Sequence, residues 1–328
     1  MPFANFPARF LAIVIAVAAP VAHANAQDAD SLGSLAWQDA RLATIADRLQ
    51  VANAALCTEL MPAAGFLMHS RDQYSETEED PRFADGPLAV AALAPGSPAA
   101  VAGLQQGDVI LAINARPVLQ MVPQGGHHIR GAAHDWLMVQ RPDAPLVLST
   151  SRGGSVREIA IEARPGCRSL VEIASRKGAR SDGRVIQIGY DLASRLSDDQ
   201  LAVVFAHELA HTVLQHRRRK EAAGIGTGLL AEVGRNQRAN REAEVEADRM
   251  SPHLLANAGY DPAIAPAFWR SGVGREVGGG VVPSFVYPSS DSRGELIARE
   301  VERYLWNRAA PSWPGHLLAL RDRPFSGD

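Results

Sequence analysis

The chain contains 328 residues, of which 46% are apolar and 21% are charged. This composition is typical of a globular protein with about two domains, and it excludes an intrinsically disordered or collagen-like chain. The 33 basic and 36 acidic side chains give a net charge of −3, which argues against nucleic acid as a partner. Two cysteines are too few for a four-cysteine metal site, but they are enough for one disulfide.

The first 26 residues have the pattern of a secretory signal peptide. Arg9 is the only charged side chain there, an apolar stretch covers residues 10–20, and Ala24-Asn25-Ala26 forms a small-x-small cleavage site. A membrane anchor is the alternative, but about ten helical residues span roughly 15 Å of a bilayer core that is about 30 Å thick. We therefore expect a periplasmic chain that keeps no transmembrane segment after cleavage; peripheral membrane contact remains compatible with this.

The mature part of the chain divides into three segments. Within residues 27–56, leucine and isoleucine recur at mostly helical spacing, which predicts an amphipathic helix. Short strand-like runs between glycine and proline turns predict a β-rich domain over residues 57–164, and helical patterns dominate residues 165–328. Because an exported chain folds in an oxidising compartment, we expect Cys57 and Cys167 to pair; two buried free thiols are the alternative. Such a bond would tie both ends of the β-rich domain to the helical domain.

The β-rich segment contains a distinctive string of residues. A strand is followed by a helix start at Ser97-Pro98-Ala99, then by Gly103-Leu104, and Gly107-Asp108 opens a second strand. This string closely resembles the central motif of bacterial PDZ domains, and the runs at 146–150 and 156–161 resemble the closing hairpin of that fold. The resemblance implies a domain that binds extended peptides by strand addition. A purely structural spacer is the alternative.

The helical segment contains the sequence His-Glu-Leu-Ala-His at residues 207–211. On a helix, His207 and His211 lie one turn apart on one face and can bind one zinc ion. Glu208 is rotated by about 100° from His207 and can hold the attacking water beside the metal. A capping box from Ser197 to Gln200 and the apolar run after it predict that helix.

A catalytic zinc ion needs a third protein ligand, which spacing alone does not identify. Downstream, Glu244 and Asp248 share a helix face at i, i+4, and so do Glu242 and Glu246. His216 lies about 140° around the helix from His211 and cannot reach the same ion. We interpret it as a histidine near the helix C terminus that interacts favourably with the helix dipole.

HELAH followed by Glu244-Val245-Glu246-Ala247-Asp248 resembles the HExxH and ExxAD motifs of the zinc endopeptidases that include HtpX, BepA and the CAAX prenyl endopeptidases. The resemblance covers about residues 167–303. It implies an α+β fold, in which a mainly helical zincin metalloprotease domain with a small edge sheet carries the β-rich PDZ-like domain. It also implies one zinc ion per chain held by His207, His211 and Glu244, with Glu208 as catalytic base. Asp248 would accept a hydrogen bond from a ligand histidine.

The same resemblance implies weaker roles for three further places. The run Val185, Ile186, Gln187, Ile188 resembles the edge strand that pairs with substrate backbone in such proteases. Tyr287 stands where many members have a His-Pro pair, and its hydroxyl would donate to the oxyanion. Arg293 falls where the family often has arginine, and it would contact the oxyanion or the substrate or support the ligands from behind.

These features predict a secreted zinc endopeptidase that hydrolyses misfolded or misassembled envelope proteins and binds them with its PDZ-like domain. A PDZ-based binding protein or chaperone with a latent zinc site is the alternative. An intramembrane protease would need a hydrophobic span beyond the signal, and the sequence shows none, so we do not expect this class. We interpret His127, His128 and His134 as PDZ loop and helix residues. We interpret residues 224–230 as a linker, with a lid or a membrane-touching loop as the alternative.

Overall fold

The computed structural model describes residues 21–74, 80–123, 128–225, 234–277, 289–307 and 311–325; side chains are described from residue 34 onward, without those of 234 and 235. Within these ranges the chain forms a β-rich domain and a helical domain, which confirms the α+β expectation. Over the described ranges, none of the helices has the length and hydropathy needed to cross a bilayer.

The first element is the helix α1, Val21–Ala52, which is followed by a 3-10 turn at Ala54–Leu56. The helix predicted within residues 27–56 is therefore present. Leu42, Ile45 and Leu49 are at most 3% exposed, and they belong to the same apolar core as the HELAH helix. This helix is therefore part of the core of the helical domain.

The β-rich domain is one antiparallel sheet with two short helices. In spatial order its strands are β2 Phe66–Ser70, β3 Leu88–Leu93, β4 Val109–Ile113, β6 Leu146–Arg152 and β7 Ser155–Ile161. The short strand β5, Arg116–Pro117, pairs with β4. The hairpin β6–β7 pairs Leu146 with Ile161, as the sequence predicted. Ser97 accepts a hydrogen bond from the Ala100 amide and caps the first helix. The two helices are α2 Pro98–Val101 and α3 Ile129–Met138.

A two-stranded ribbon forms the base of this domain. The strands β1, Leu60–Ala63, and β8, Arg164–Cys167, pair antiparallel with Leu60 opposite Cys167. Beside this ribbon Cys57 and Cys167 form the predicted disulfide, with a Cα–Cα distance of 5.5 Å. Both connections to the helical domain therefore leave the β-rich domain at one point.

The helical domain contains a small sheet with the strand order β10-β11-β9 and eight described helices besides α1. The elements are β9 Leu170–Ala174, β10 Ala179–Ser181, β11 Val185–Gly189, α4 Tyr190–Arg195, α5 Asp198–Val213, α6 His216–Ala222, α7 Gly234–Asn257, α8 Ile264–Arg270, α9 Gly272–Val277, α10 Ser290–Tyr304 and α11 Gly315–Leu318.

The small sheet corrects one prediction. The run from Val185 to Ile188, expected to be the substrate-binding edge, forms the central strand β11, which pairs with β10 on one side and β9 on the other. Its backbone groups are engaged on both edges, and Ile186 and Ile188 are fully buried. The strand beside the HELAH helix with an edge that no described strand occupies is β10, Ala179–Ser181.

Candidate metal centre and active site

The helix α5 positions the two histidines of HELAH. Ser197 and Gln200 form the predicted capping box at its N terminus. The apolar run after the cap is buried in the core of the helical domain, so packing fixes the position of the helix. The Nε2 atoms of His207 and His211 lie 3.4 Å apart, as expected for two imidazoles one turn apart.

Glu244 of α7 completes a group of three metal-binding side chains. Its carboxylate oxygens lie 3.2 Å from His207 Nε2 and 3.7 Å from His211 Nε2. Ligands at ~2.0–2.1 Å from a tetrahedral zinc ion lie about 3.3–3.4 Å from one another, so the three donors fit zinc. Two imidazoles and one carboxylate also leave a fourth position for water, as in catalytic zinc sites.

The carboxylate that spacing left as an alternative ligand has a different partner. Glu246 Oε2 lies 3.0 Å from His216 Nε2, and the Arg219 guanidinium binds both oxygens of Glu246. The Nδ1 atoms of His216 and His211 are 2.8 Å apart. Glu246 thus supports a ligand histidine from behind, through His216.

This arrangement corrects the interpretation of His216. The helix α5 ends at Val213, and the chain turns at Gln215, which has a left-handed backbone with φ of 56°. His216 therefore begins a new helix, α6, and its side chain is buried against His211. As predicted, it is not directed at the metal site itself, but it contacts the outer ring nitrogen of a ligand.

The other ligand histidine is supported by Asp248. His207 Nδ1 lies 3.0 Å from Asp248 Oδ1, as the predicted role requires. Arg293 of α10 donates from Nη2 and Nε to the two Asp248 oxygens at 2.6 and 2.7 Å, and its guanidinium lies over the Trp269 ring. Arg293 therefore lies behind His207, where its contacts support a positioning role in place of the expected oxyanion or substrate contact.

A proline in α7 is accommodated beside Asp248. Pro252 lacks the amide that would bond the Asp248 carbonyl four residues earlier. The Ser251 hydroxyl donates to that carbonyl at 3.0 Å instead. The helix continues to Asn257, and the turn that carries Asp248 keeps its hydrogen bonding.

The charges at this site are set by burial and by the paired carboxylates. Burial raises the pKa of Glu208 to about 7, although the charge of His207 acts in the opposite direction. Burial would lower the pKa of His207, but hydrogen bonds to Asp248 and Glu244 raise it to about 10. Against the effect of burial, the charge of His211 and the hydrogen bond from His207 lower the pKa of Glu244. The two ionised carboxylates provide the negative charge that a divalent cation needs, and Glu208 can both accept and release a proton near neutral pH.

Sequence reasoning missed the supporting residues Arg219, Trp269 and Arg176. Arg176 precedes β10, and its positive charge is close enough to lower the pKa of Glu208, against burial. The chain there is closely packed, because a Cβ on Gly189 would lie 2.1 Å from the Arg176 carbonyl oxygen. None of these residues belongs to the HELAH motif or to the Glu244–Asp248 motif, so the sequence carried no signal for them.

Several predicted residues lie away from this site or outside the described ranges. Tyr287, His127 and residues 226–230 of the loop 224–230 are outside the described residues. His128 precedes α3, and His134 lies buried within α3. The interpretation of these two as PDZ residues agrees with their positions.

Comparison with known proteins matches two domains. The sequence model of the PDZ domain matches residues 90–129, and that of peptidase family M48 matches residues 176–235. The mitochondrial metalloendopeptidase OMA1 of Arabidopsis thaliana is 30% identical over 125 residues, which cover 31% of this chain and 24% of that relative. The chain therefore spans about a quarter of the length of this curated relative.

The M48 match contains HELAH but ends before Glu244, so Glu244 is a candidate third ligand on the distances among the three donors alone. The chain therefore contains a metallopeptidase domain of family M48 together with a PDZ domain.

Proposed function

We propose that this protein is a periplasmic zinc-dependent endopeptidase that cleaves misfolded or misassembled envelope proteins. The observation that carries the proposal is the convergence of His207, His211 and Glu244, with the buried Glu208 one residue from a ligand. Zinc bound there would supply Lewis-acid activation of a water molecule and of the scissile carbonyl. The signal-like sequence at residues 1–26 and the Cys57–Cys167 disulfide support export to an oxidising compartment.

The side chains around the ligands provide the acid–base chemistry. Glu208 accepts a proton from the attacking water and then delivers it to the leaving amine, which a pKa near neutrality favours. His207 and His211 would bind zinc through Nε2, so each would carry its proton on Nδ1. Asp248 can accept a hydrogen bond from the Nδ1–H group of His207, and the Nδ1–H group of His211 can donate to His216 Nδ1. The network thus fixes both tautomers before substrate arrives.

The strand β10 is the place where a substrate backbone would bind. Its outer edge carries backbone groups that can pair with an extended peptide in a sequence-tolerant way. The strand packs against α5. The positive charge of Arg176, which lies just before β10, interacts electrostatically with Glu208. A peptide added at this edge would pass over the catalytic helix.

A cleft of about 870 Å³ lies between the PDZ domain and the peptidase domain. The PDZ edge strand β2 lines one side with Leu67 to His69, and β9 and residues 174–177 line the other. Arg130, at the start of α3, forms an ion pair with Glu172 of β9 inside this cleft. A peptide paired with β2 would therefore lie beside the loop that leads to β10, which supports a substrate-binding role for the PDZ domain.

Casein degradation by the purified protein tests the peptidase proposal. We expect degradation that a chelator abolishes and that zinc restores, and we expect Glu208→Gln to be inactive while it retains zinc. Glu302→Gln, a matched change of an exposed glutamate in α10, should remain active. Peptide binding without turnover on any substrate would contradict the proposal and favour a chaperone. Proteomics of a strain that carries Glu208→Gln tests the substrate class. If the substrates are envelope proteins, these proteins should accumulate in that strain.

A further inference from the structure

A second group of two histidines and one glutamate lies in the peptidase domain, outside the matched residues and the HELAH and ExxAD motifs. His253 of α7, Glu300 of α10 and His316 of α11 each direct one donor atom to a common point, and these atoms lie within 4.8 Å of one another. The side chains of His253 and Glu300 are almost fully buried, whereas that of His316 is 28% exposed. We propose that these three residues bind a second divalent metal ion, which fastens the C-terminal segment to α7 and α10.

The distances among the three donors are close to those of a metal site. His253 Nε2 lies 3.2 Å from Glu300 Oε1, which matches the ~3.3 Å between two ligands of a tetrahedral ion. His316 Nε2 lies 2.6 Å from the same oxygen, roughly 0.7 Å closer than a shared ion requires. His316 is the residue best able to move outward, because it is partly exposed and lies in a helix of four residues.

Neighbouring side chains hold the two buried donors in ligand orientation. Ser312 Oγ lies 2.6 Å from His253 Nδ1, so this outer nitrogen can donate its proton to Ser312 while Nε2 faces the ion. Arg249 donates to Glu300 Oε2 at 2.8 Å and leaves Oε1 for the metal.

The site opens onto a cleft of about 480 Å³ lined by aromatic and polar side chains. The Tyr304 ring stacks on His316 with 4.1 Å between centroids, and Trp313 lines the same cleft. Water in the cleft would complete the coordination. Two imidazoles with one carboxylate favour zinc over calcium or magnesium, which prefer oxygen ligands alone. The site is separate from the catalytic one, because His253 lies nine residues after Glu244, or ~13 Å along α7.

Metal stoichiometry tests this proposal independently of peptidase activity. We would deplete the purified protein of metal, equilibrate it with buffered zinc, and measure bound zinc by mass spectrometry after gel filtration. We expect two ions in the unmodified protein, one in Glu244→Gln, one in His316→Gln and none in the combined variant. His128→Gln, a change at a partly exposed histidine of the PDZ domain, is the matched control and should retain two.

Cobalt gives a second readout in the Glu244→Gln background. We expect visible d–d absorption from one bound Co²⁺, and its loss when His316→Gln is added. His316→Gln is preferred to Glu300→Gln because it leaves the ion pair between Arg249 and the buried Glu300 intact. Less than 0.1 ion per chain in Glu244→Gln would overturn the proposal. So would a second ion that persists in His316→Gln, since it would then bind elsewhere.

Discussion

The connection from Glu246 through His216 to His211 leads to a quantitative prediction for Glu246→Gln. Glu246 Oε2 lies 3.0 Å from His216 Nε2, and the Nδ1 atoms of His216 and His211 are 2.8 Å apart. Loss of a direct outer partner weakens metal binding by about 10–100-fold. Because Glu246 acts on His211 only through His216, we expect the lower end, about 10-fold or ~1.4 kcal/mol, for Glu246→Gln. The same change leaves the Arg219 charge buried without its carboxylate, so the free energy of unfolding should fall by about 3–5 kcal/mol.

The zinc dissociation constant is measured by competition with a chromophoric chelator. The His316→Gln background removes the proposed second metal site formed by His253, Glu300 and His316. Glu244→Gln, which deletes a ligand, should lose zinc altogether at concentrations where Glu246→Gln still binds. Glu302→Gln should change neither zinc affinity nor stability. A folded Glu246→Gln variant whose zinc affinity stays within twofold of the parent would refute the role of Glu246 behind His211. Full zinc loss in Glu246→Gln with retention in Glu244→Gln would exchange the ligand assignment.

Three further predictions follow from the geometry. Because the disulfide closes a loop of 110 residues, replacing Cys57 and Cys167 by serine should lower the free energy of unfolding by about 5 kcal/mol in denaturant titrations. Asp248→Asn should weaken zinc binding by about 10–100-fold, since His207 loses its carboxylate partner; competition titration measures this. The pKa of Glu300, which hydrogen bonds lower from 4.5 to about 2 against burial, implies about 3 kcal/mol of stability in metal-free protein. This contribution is present above about pH 4.5 and is lost as the pH falls toward 2, so the difference in stability from Glu300→Gln should shrink over that range.

Each of these three has a contradicting result. If the variant with serine at both cysteine positions and the parent had equal denaturation midpoints, the disulfide would not restrict the unfolded chain. Unchanged zinc affinity in Asp248→Asn would show that His207 keeps its orientation without the carboxylate. A stability difference for Glu300→Gln that stays constant between pH 6 and pH 3 would contradict the low pKa of Glu300.

Local sequence signals predicted the parts of the site that lie within one element. The capping box at Ser197 and the buried apolar run made α5 predictable, and helical periodicity then placed His207 and His211 on one face. The disulfide followed from the expected compartment and from the positions of the two cysteines at the domain boundary. These inferences needed no knowledge of how the helices pack.

Features that depend on packing between elements were not predictable in this way. Residues 185–188 are largely apolar, which is typical of a strand buried on both sides, whereas the family resemblance implies an edge strand. The true edge strand, β10, is short and contains Arg180, as exposed edges often do. Similarly, helical spacing predicts that α5 continues to His216, whereas the left-handed turn at Gln215 carries His216 into a separate helix.

The helix α7 shows why spacing alone left the third ligand open. Glu244 and Asp248 are four residues apart and share the face toward α5, where one meets the ligands and the other meets His207 Nδ1. Glu246 is rotated by about 200° from Glu244, yet it serves the same centre because α6 returns His216 to the other side of α7. Each ligand histidine is thus backed by a carboxylate of one helix, directly for His207 and through His216 for His211. A shift of α7 would therefore disturb the third ligand and both histidine tautomers together, which makes its packing against α5 the structural determinant of the metal site.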